Sequence, residues 1–217
     1  MVTRPAPPRF ELVGGSLALD FVNSQDRMLG KPWVERIGSY GELLAWSAET
    51  GSLPRERLRR LAGGAEERPQ EARRVLQRAR ELREACYRIF AGLVEEKPPA
   101  RADLEAVNAG LAASLAHARL APESDGFAWD WDPDPEALDA PLWPVARSVA
   151  ELLASPERAY VKRCASETCL WLFLDTSKNH QRRWCDMKVC GNRAKVRAHR
   201  KRQRARSRRL GKGGRPG

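Results

Sequence analysis

The chain has 217 residues, of which 42% are hydrophobic and 31% charged, so it can bury one medium domain plus a small module. No apolar run approaches the ~18 residues that span a bilayer, and the first residues, MVTRPAPPRFELVGG, lack the apolar stretch of a secretory signal. We therefore expect a cytoplasmic protein with no membrane partner, in a reducing environment where disulfides are disfavoured.

Positive charge is concentrated at one end of the sequence. Residues 178–217 contain 16 Lys and Arg and a single acid, a net charge of +15, whereas residues 1–177 contain 23 basic and 27 acidic residues. This asymmetry indicates a polyanionic partner, although a basic tail can also serve solubility alone.

The first part of the chain is predicted to be mainly helical. Residues 12–24 alternate partly like a strand, but the Gly14-Gly15 pair and Ser16 resemble a start signal and favour a helix. Ser39 and Glu42 form a capping box for the next helix, which Gly51 ends.

Further elements follow in chain order. They are a helix from Pro54 to the Gly63-Gly64 pair, a long helix over about 71–95, a helix over about 102–117, a hairpin over 118–131 and a helix over about 142–154. Cys86 lies on the apolar stripe of the long helix and is predicted to be a buried, inert thiol. Leu104, Val107, Leu111 and Leu115 are predicted to form the apolar side of the helix over 102–117.

Four cysteines have the spacing of a metal site. Cys164 and Cys169 form one C-x4-C pair, Cys185 and Cys190 form another, and fifteen residues separate the pairs. Two close pairs at this separation are typical of tetrahedral Zn²⁺, with two disulfides or redox-active thiols as alternatives. A shell of four thiolates leaves no open position, so the metal is not expected to be catalytic and the protein is not expected to be an enzyme.

The predicted zinc module is treble-clef-like: a knuckle, a hairpin, and a helix that begins near the second cysteine pair. The hairpin is predicted between the pairs, with residues 171–174 and 182–184 as strands, and Gly191 would give the backbone freedom to close around the metal. About 40 residues cannot hold together by apolar burial alone, so zinc would supply on the order of 10 kcal/mol. Arg163, Arg182 and Arg183 could offset the charge of the thiolates.

The stretch WCDMKVCGNRAKVRAHR closely resembles the CGNR zinc-finger family, named for the residues at 190–193, and FLDTSKNHQRRWC (173–185) is similar to the segment that precedes it. GGSLALDFVNS (14–24) and the helix containing Leu43 and Trp46 are similar to the ABATE domain. The resemblance implies a stress-induced transcription regulator with a helical ABATE-like domain (1–157), a zinc finger with a basic helix (158–205) and a disordered basic tail (206–217). It also implies the zinc ligands, which are Cys164, Cys169, Cys185 and Cys190.

A basic stripe is predicted on a helix over 192–206, where nucleic acid would bind. Its members and neighbours are the candidate contacts: Asn192, Arg193, Lys195, Arg197, Arg200, Lys201 and Arg204. Asn192 and Arg193 suit base edges, yet Asn192 could instead satisfy a local turn and Arg193 could buttress the thiolates. Trp171 and Trp184 could stack on bases or simply pack. We expect the helix to fray beyond about residue 205 until it binds.

Several functions are compatible with these features. The leading hypothesis is a regulator that binds double-stranded DNA, and the alternatives are an RNA- or ribosome-binding protein and a redox-sensitive zinc–thiolate switch. A nuclease is a less well supported hypothesis, because only Asp175, His180 and Asp186 are available to form a second metal site.

The N-terminal domain could also form oligomers or bind a small-molecule effector. The polar residues Asp20 and Asn23 could contact an effector in a pocket lined by Trp33, Trp46 or Trp143. Otherwise they satisfy buried backbone groups.

Overall fold

The computed structural model describes residues 9–131 and 137–212, with side chains described as far as residue 203. Within these ranges the fold has seven α-helices and three two-stranded antiparallel sheets. The elements are α1 (Leu17–Val22), β1 (Gln25–Asp26), β2 (Val34–Glu35), α2 (Tyr40–Thr50), α3 (Arg55–Glu67), α4 (Pro69–Val94), α5 (Arg101–His117), β3 (Ala118–Glu123), β4 (Gly126–Trp131), α6 (Trp143–Ala154), β5 (Val161–Arg163), β6 (Leu172–Leu174) and α7 (Asn192–Lys212). No described helix has both the length and the apolar character needed to cross a membrane.

Two helix starts follow the predicted capping signals. The Ser16 hydroxyl accepts a hydrogen bond from the Leu19 amide, so the ambiguous stretch is a helix, although a short one. Ser39 caps α2 in the same way, and Gly51 ends α2 in the left-handed conformation.

The predicted end of α3 at the Gly63-Gly64 pair is wrong. The helix continues to Glu67, and the Arg68 amide still donates to the Gly64 carbonyl. Glycine lowers helix propensity without removing a hydrogen-bonding group, so packing through Leu58 and Leu61 is enough to continue the helix.

The long amphipathic helix α4 forms the centre of the main core, with α5 packed against it and α6 packed against α5 and α1. Cys86 lies on its buried face, and burial raises the pKa of this thiol to about 12. The predicted burial of Cys86 is therefore confirmed, and the raised pKa disfavours the reactive thiolate form.

Helix α5 turns a different face inward from the one predicted. Val107 is buried as expected, but Leu104 and Leu115 are exposed, and the buried face includes Asp103 and Ser114. Polar partners override the apolar pattern here: the Arg88 guanidinium binds the Asp103 carboxylate, and the Ser114 hydroxyl donates to the Trp143 carbonyl at 2.8 Å.

Strand β6 separates two clusters of buried side chains. Leu172 and Leu174 belong to the main core with the helices. Phe173, and Trp171 just before the strand, pack instead with the cysteines of the two C-x4-C pairs. Successive side chains of a strand point to opposite faces, so one short strand contributes to both cores. The cysteine-rich segment is therefore built onto the helical part of the chain.

Candidate metal centre

The four cysteines predicted from their spacing come together in the structure. All four are buried, their sulfur atoms lie within 4.8 Å of one another, and none forms a disulfide. The Cys169–Cys185 and Cys185–Cys190 sulfur distances are 3.8 and 3.7 Å. A tetrahedron with Zn–S bonds of about 2.3 Å has edges of about 3.8 Å, so the donor set fits Zn²⁺.

Two local structures position the cysteines. Cys164 follows β5 and Cys169 precedes β6, so the first pair lies in the connection between two paired strands, where the Cys164 amide donates to the Trp171 carbonyl at 2.9 Å. Cys185 precedes a π-helical turn, Met187–Gly191, and Cys190 lies within it; the Asp186 carboxylate caps the start of the turn by accepting a hydrogen bond from the Val189 amide. Helix α7 continues directly from this turn.

The predicted hairpin between the cysteine pairs is wrong in its partner strand. Strand β6 pairs with β5, in the register Val161↔Leu174 and Arg163↔Leu172, while residues 182–184 form no strand. The returning segment is instead held by the Asp175 carboxylate, which accepts from the Arg182 amide, and by the Ala165 amide, which donates to the Arg183 carbonyl at 2.8 Å.

Asp175 organises the loop between β6 and the second cysteine pair. Its buried carboxylate accepts hydrogen bonds from the Ser177 hydroxyl and amide, from the Arg182 amide and from Lys162 Nζ at 2.7 Å. Burial acts to raise the pKa of Asp175, but these donors outweigh it and hold the pKa well below its usual range. The loop therefore closes around a carboxylate that stays ionised.

The first cysteine pair is also bonded to the helical domain. The Asn23 amide group donates to the Leu172 carbonyl at 2.7 Å, and its oxygen accepts from the Leu172 amide at 3.1 Å. The segment after β1 pairs with the knuckle, through Leu29 N to Thr168 O at 2.8 Å and Leu170 N to Arg27 O at 3.1 Å. The knuckle is thus held from both sides by residues far away in sequence.

Crowding of the sulfur atoms creates an electrostatic demand for a cation. Hydrogen bonds with the Cys164 and Cys169 side chains, together with burial, raise the pKa of the Cys185 thiol far above its usual range. Four thiolates can share this space only when a positive ion neutralises them. That requirement agrees with the tetrahedral spacing.

Of the three arginines proposed to offset the thiolates, Arg182 is the one hydrogen-bonded to the backbone of a cysteine ligand. Its guanidinium donates to the backbone carbonyls of Cys185, Trp184 and Val13. Arg163 instead pairs with Glu95, and the Arg183 guanidinium lies over the Trp184 ring. Trp171 is buried in the cysteine cluster, so its packing role is the one observed.

The basic stretch after Cys190 is one helix. Helix α7 runs from Asn192 to Lys212, past the point where fraying was expected, and its Ala, Arg, Lys and Gln content has high helix propensity. The tail predicted to be disordered overlaps this helix over 206–212, and its remainder lies outside the described residues.

The candidate nucleic-acid contacts differ in their surroundings. Asn192 donates to the Lys188 carbonyl at 2.9 Å, which is the local role left open as an alternative, and Arg197 pairs with Glu167 at 2.8 Å. The remaining described candidates, which are all exposed, are Arg193, Lys195, Arg200 and Lys201. The side chain of Arg204 lies outside the described residues.

Two family profiles match the chain. Residues 15–156 match the ABATE family, described as "Putative stress-induced transcription regulator", and residues 160–203 match the CGNR zinc finger. The chain belongs to the ABATE family. No curated protein matches the sequence. The order of an ABATE domain followed by a CGNR zinc finger is as predicted, and the four clustered cysteines support Zn²⁺ as the cofactor.

The residues considered for a second metal site in this ABATE protein have structural roles. Asp175 holds the loop, Asp186 caps the π-helical turn, and His180 stacks on Tyr160 with ring centroids 3.6 Å apart. Among the described residues, the four cysteines are the only group of three or more His, Cys, Asp or Glu side chains close enough to share a metal. Both matched families are regulator and zinc-finger types.

The two side chains of the ABATE domain that were proposed to contact an effector are hydrogen-bonded to backbone groups. The Asp20 carboxylate accepts from the Gly14 amide at 2.7 Å, and Asn23 binds Leu172 as described above. Both residues line a cavity of only about 50 Å³ with Trp46. Trp143 lines a different cavity, and Trp33 lies over the Arg27 guanidinium.

Sequence reasoning missed the structural partners of three residues that shape this site. Asp175 was considered only as a metal ligand, Glu167 was not singled out, and Asn23 was not linked to β6. Asp175 binds Arg182, 7 residues away; Glu167 binds Arg197, 30 residues away; and Asn23 binds Leu172, 149 residues away. Only the Asp175 loop had a local signal, an Asp two residues before Ser177 that suits an Asx turn.

Proposed function

We propose that this protein is a transcription regulator whose zinc module fixes the start of α7 so that this basic helix binds double-stranded DNA. The observation that carries the proposal is the direct continuation of the cysteine-bearing π-helical turn into a helix of 21 residues. At 1.5 Å per residue, such a helix is about 32 Å long, close to one turn of duplex DNA.

The zinc ligands in this proposal are Cys164, Cys169, Cys185 and Cys190. Elemental analysis of the purified native protein should find one zinc per chain. The C185S variant should lose it, because a hydroxyl is a poor replacement for a thiolate ligand. Stoichiometric zinc in C185S, or none in the native protein, would contradict this assignment.

Exposed cations on α7 would neutralise phosphates and release counterions. If about five phosphates are engaged, log K should fall against log salt with a slope of roughly −4 to −5. This term gives affinity without sequence preference. Arg193, exposed in the first turn of α7, is the described residue best suited to reach a guanine edge. Asn192 is engaged with Lys188 and is assigned a supporting role.

Charge reversal of neighbouring cations tests the proposal. The R200E/K201E variant changes two exposed residues of α7, and the matched control R73E/R74E changes two exposed arginines of α4. Fluorescence anisotropy with duplex DNA over a salt series should show a slope smaller by about 2 in the α7 variant, since two phosphate contacts are lost. The control should retain the native slope. Equal slopes in the two variants would refute a DNA-binding role for α7.

Sequence preference and nucleic-acid type are decided by two further assays. Footprinting on the upstream region of the protein's own coding sequence should show a bounded protected site. Equal affinity for every duplex tested would count against regulation. Competition at matched salt should favour duplex DNA over structured RNA, and the reverse order would support an RNA-binding protein instead.

A further inference from the structure

A shallow groove of about 550 Å³ opens beside the zinc module, where β5, the end of α4 and the segment that returns to Cys185 meet. Four of the residues that line it are cationic and none is acidic; the cations are Lys162, Arg163, Arg182 and Arg183. No cysteine and no described residue of α7 lines the groove. It is therefore a positive surface separate from the metal cluster and from the basic helix.

The acidic partners of these cations do not neutralise the groove. Lys162 pairs with Asp175, whose carboxylate is fully buried, whereas 34% of the lysine side chain is exposed. Arg163 pairs with Glu95 at 2.6 Å, and Arg182 donates to backbone carbonyls, which carry no net charge. Two carboxylates therefore face four cations, and a net positive charge remains for an anion to neutralise.

Arg183 supplies the free hydrogen-bonding groups of the groove. Its side chain is exposed, and its guanidinium forms no hydrogen bond or ion pair within the described part of the chain. The guanidinium carbon lies 5.2 Å from the centroid of the Trp184 ring, and the Arg183 carbonyl accepts from the Ala165 amide at 2.8 Å. A guanidinium presents a planar fork of donors that matches two oxygens of a phosphate group. The groove therefore has a positioned cation that can bind a phosphate.

The first cysteine pair places this groove next to α7. Ala165 lines the groove, and two residues further on Glu167 pairs with Arg197, in the second turn of α7, at 2.8 Å. Two residues of chain span at most ~7 Å, so the groove opens beside the helix rather than beyond its end. The major groove of duplex DNA is about 12 Å wide, and a helix lying in it has a strand of phosphates on either side. A cationic groove in this position is where a flanking phosphate is expected.

We propose that this groove binds a backbone phosphate of the duplex that α7 engages, with Arg183 as the main contact. The proposal rests on the DNA-binding function proposed for α7. Contacts to phosphates carry no sequence information but fix the orientation of a protein on the duplex. The groove would thus hold the zinc module in one orientation while Arg193 of α7 reaches a base edge.

The test is fluorescence anisotropy of the zinc-loaded full chain with duplex DNA over a salt series. R183Q removes one charge, so the slope of log K against log salt should become shallower by about 0.9, and the affinity at about 0.1 M salt should fall about eight-fold. R183K retains the charge and should keep the native slope. The matched control R59Q changes an exposed arginine of α3 and should also keep the native slope.

Comparison with R200E/K201E separates this proposal from the one on which it rests. A native slope for R183Q beside a shallower slope for R200E/K201E would overturn the groove as a phosphate site and leave DNA binding by α7 intact. Native slopes in both variants would overturn both proposals. When the three substitutions are combined, the changes in slope should add, because the contacts are separate.

A free phosphate is the other source of the same ligand chemistry. Inorganic phosphate should compete with DNA no better than sodium chloride does at equal ionic strength. Stronger competition by phosphate that R183Q abolishes would assign the groove to a small phosphate ligand and overturn its assignment to DNA.

Discussion

The junction between α1 and β6 predicts a large loss of stability when Asn23 is replaced by alanine. Asn23 and Leu172 are both buried, and the Asn23 side chain is hydrogen-bonded to both the amide and the carbonyl of Leu172. N23A leaves these two backbone groups buried without partners. Each such group costs about 1–3 kcal/mol, so the free energy of unfolding should fall by about 2–6 kcal/mol.

This loss is a large share of a typical stability of about 5–15 kcal/mol. For a chain of this size it corresponds to a fall in melting temperature of roughly 5–20 °C. The assay is thermal unfolding by circular dichroism with zinc in excess, so that metal loss does not contribute separately. The matched control is N108A, which removes an exposed asparagine from α5 and should change stability by less than about 0.5 kcal/mol.

The reasoning also predicts where the damage appears. Since Leu172 belongs to the main core and Trp171 to the cysteine cluster, N23A should weaken zinc retention against a competing chelator as well as lowering the melting temperature. If N23A melts within about 1 °C of the native protein, the Asn23–Leu172 bonds do not couple the two parts and the argument fails.

G14A should lower the free energy of unfolding by about 1–3 kcal/mol in denaturant titrations, because an added Cβ would lie 2.7 Å from the Asp20 amide. The control G63A, in open space within α3, should be neutral or stabilising, and equal losses in the two variants would contradict this reasoning. Burial raises the pKa of Asp20 from 3.8 to about 6, so between these pH values the folded state binds a proton that the unfolded state has lost. The free energy of unfolding should therefore fall as pH rises from about 4 to 6. D20N should flatten this dependence, and an unchanged curve would exclude Asp20 as its source. Removal of zinc by a chelator should lower the melting temperature of the helical domain itself, and a helical transition indifferent to the chelator would show that the two parts are uncoupled.

The two family profiles meet between residues 156 and 160, but the contacts of the folded chain cross that boundary. Leu172 and Leu174 are buried with the ABATE helices, and the Leu174 amide donates to the Gly14 carbonyl at 2.7 Å. A zinc finger excised at this boundary would therefore expose apolar surface that the full chain buries. The DNA assays are accordingly best made with the full chain.

Several helices and the metal cluster could be predicted from the sequence alone. Capping residues Ser16 and Ser39 placed two helix starts, apolar periodicity placed α4, and the two C-x4-C pairs identified the metal cluster, because each depends on residues a few positions apart. The basic stretch after Cys190 likewise indicated a helix from its own composition.

Tertiary structure decided what depends on partners distant in the chain. The strand that pairs with β6, the buried face of α5 and the bonding of Asn23 could not be read from spacing, since hydrogen bonds and ion pairs outweigh local apolar pattern once they are buried. Propensity also failed at the Gly63-Gly64 pair, where packing continued α3. Local secondary structure depends on neighbouring residues, whereas the zinc module joins the helical core only when residues up to 149 positions apart come into contact.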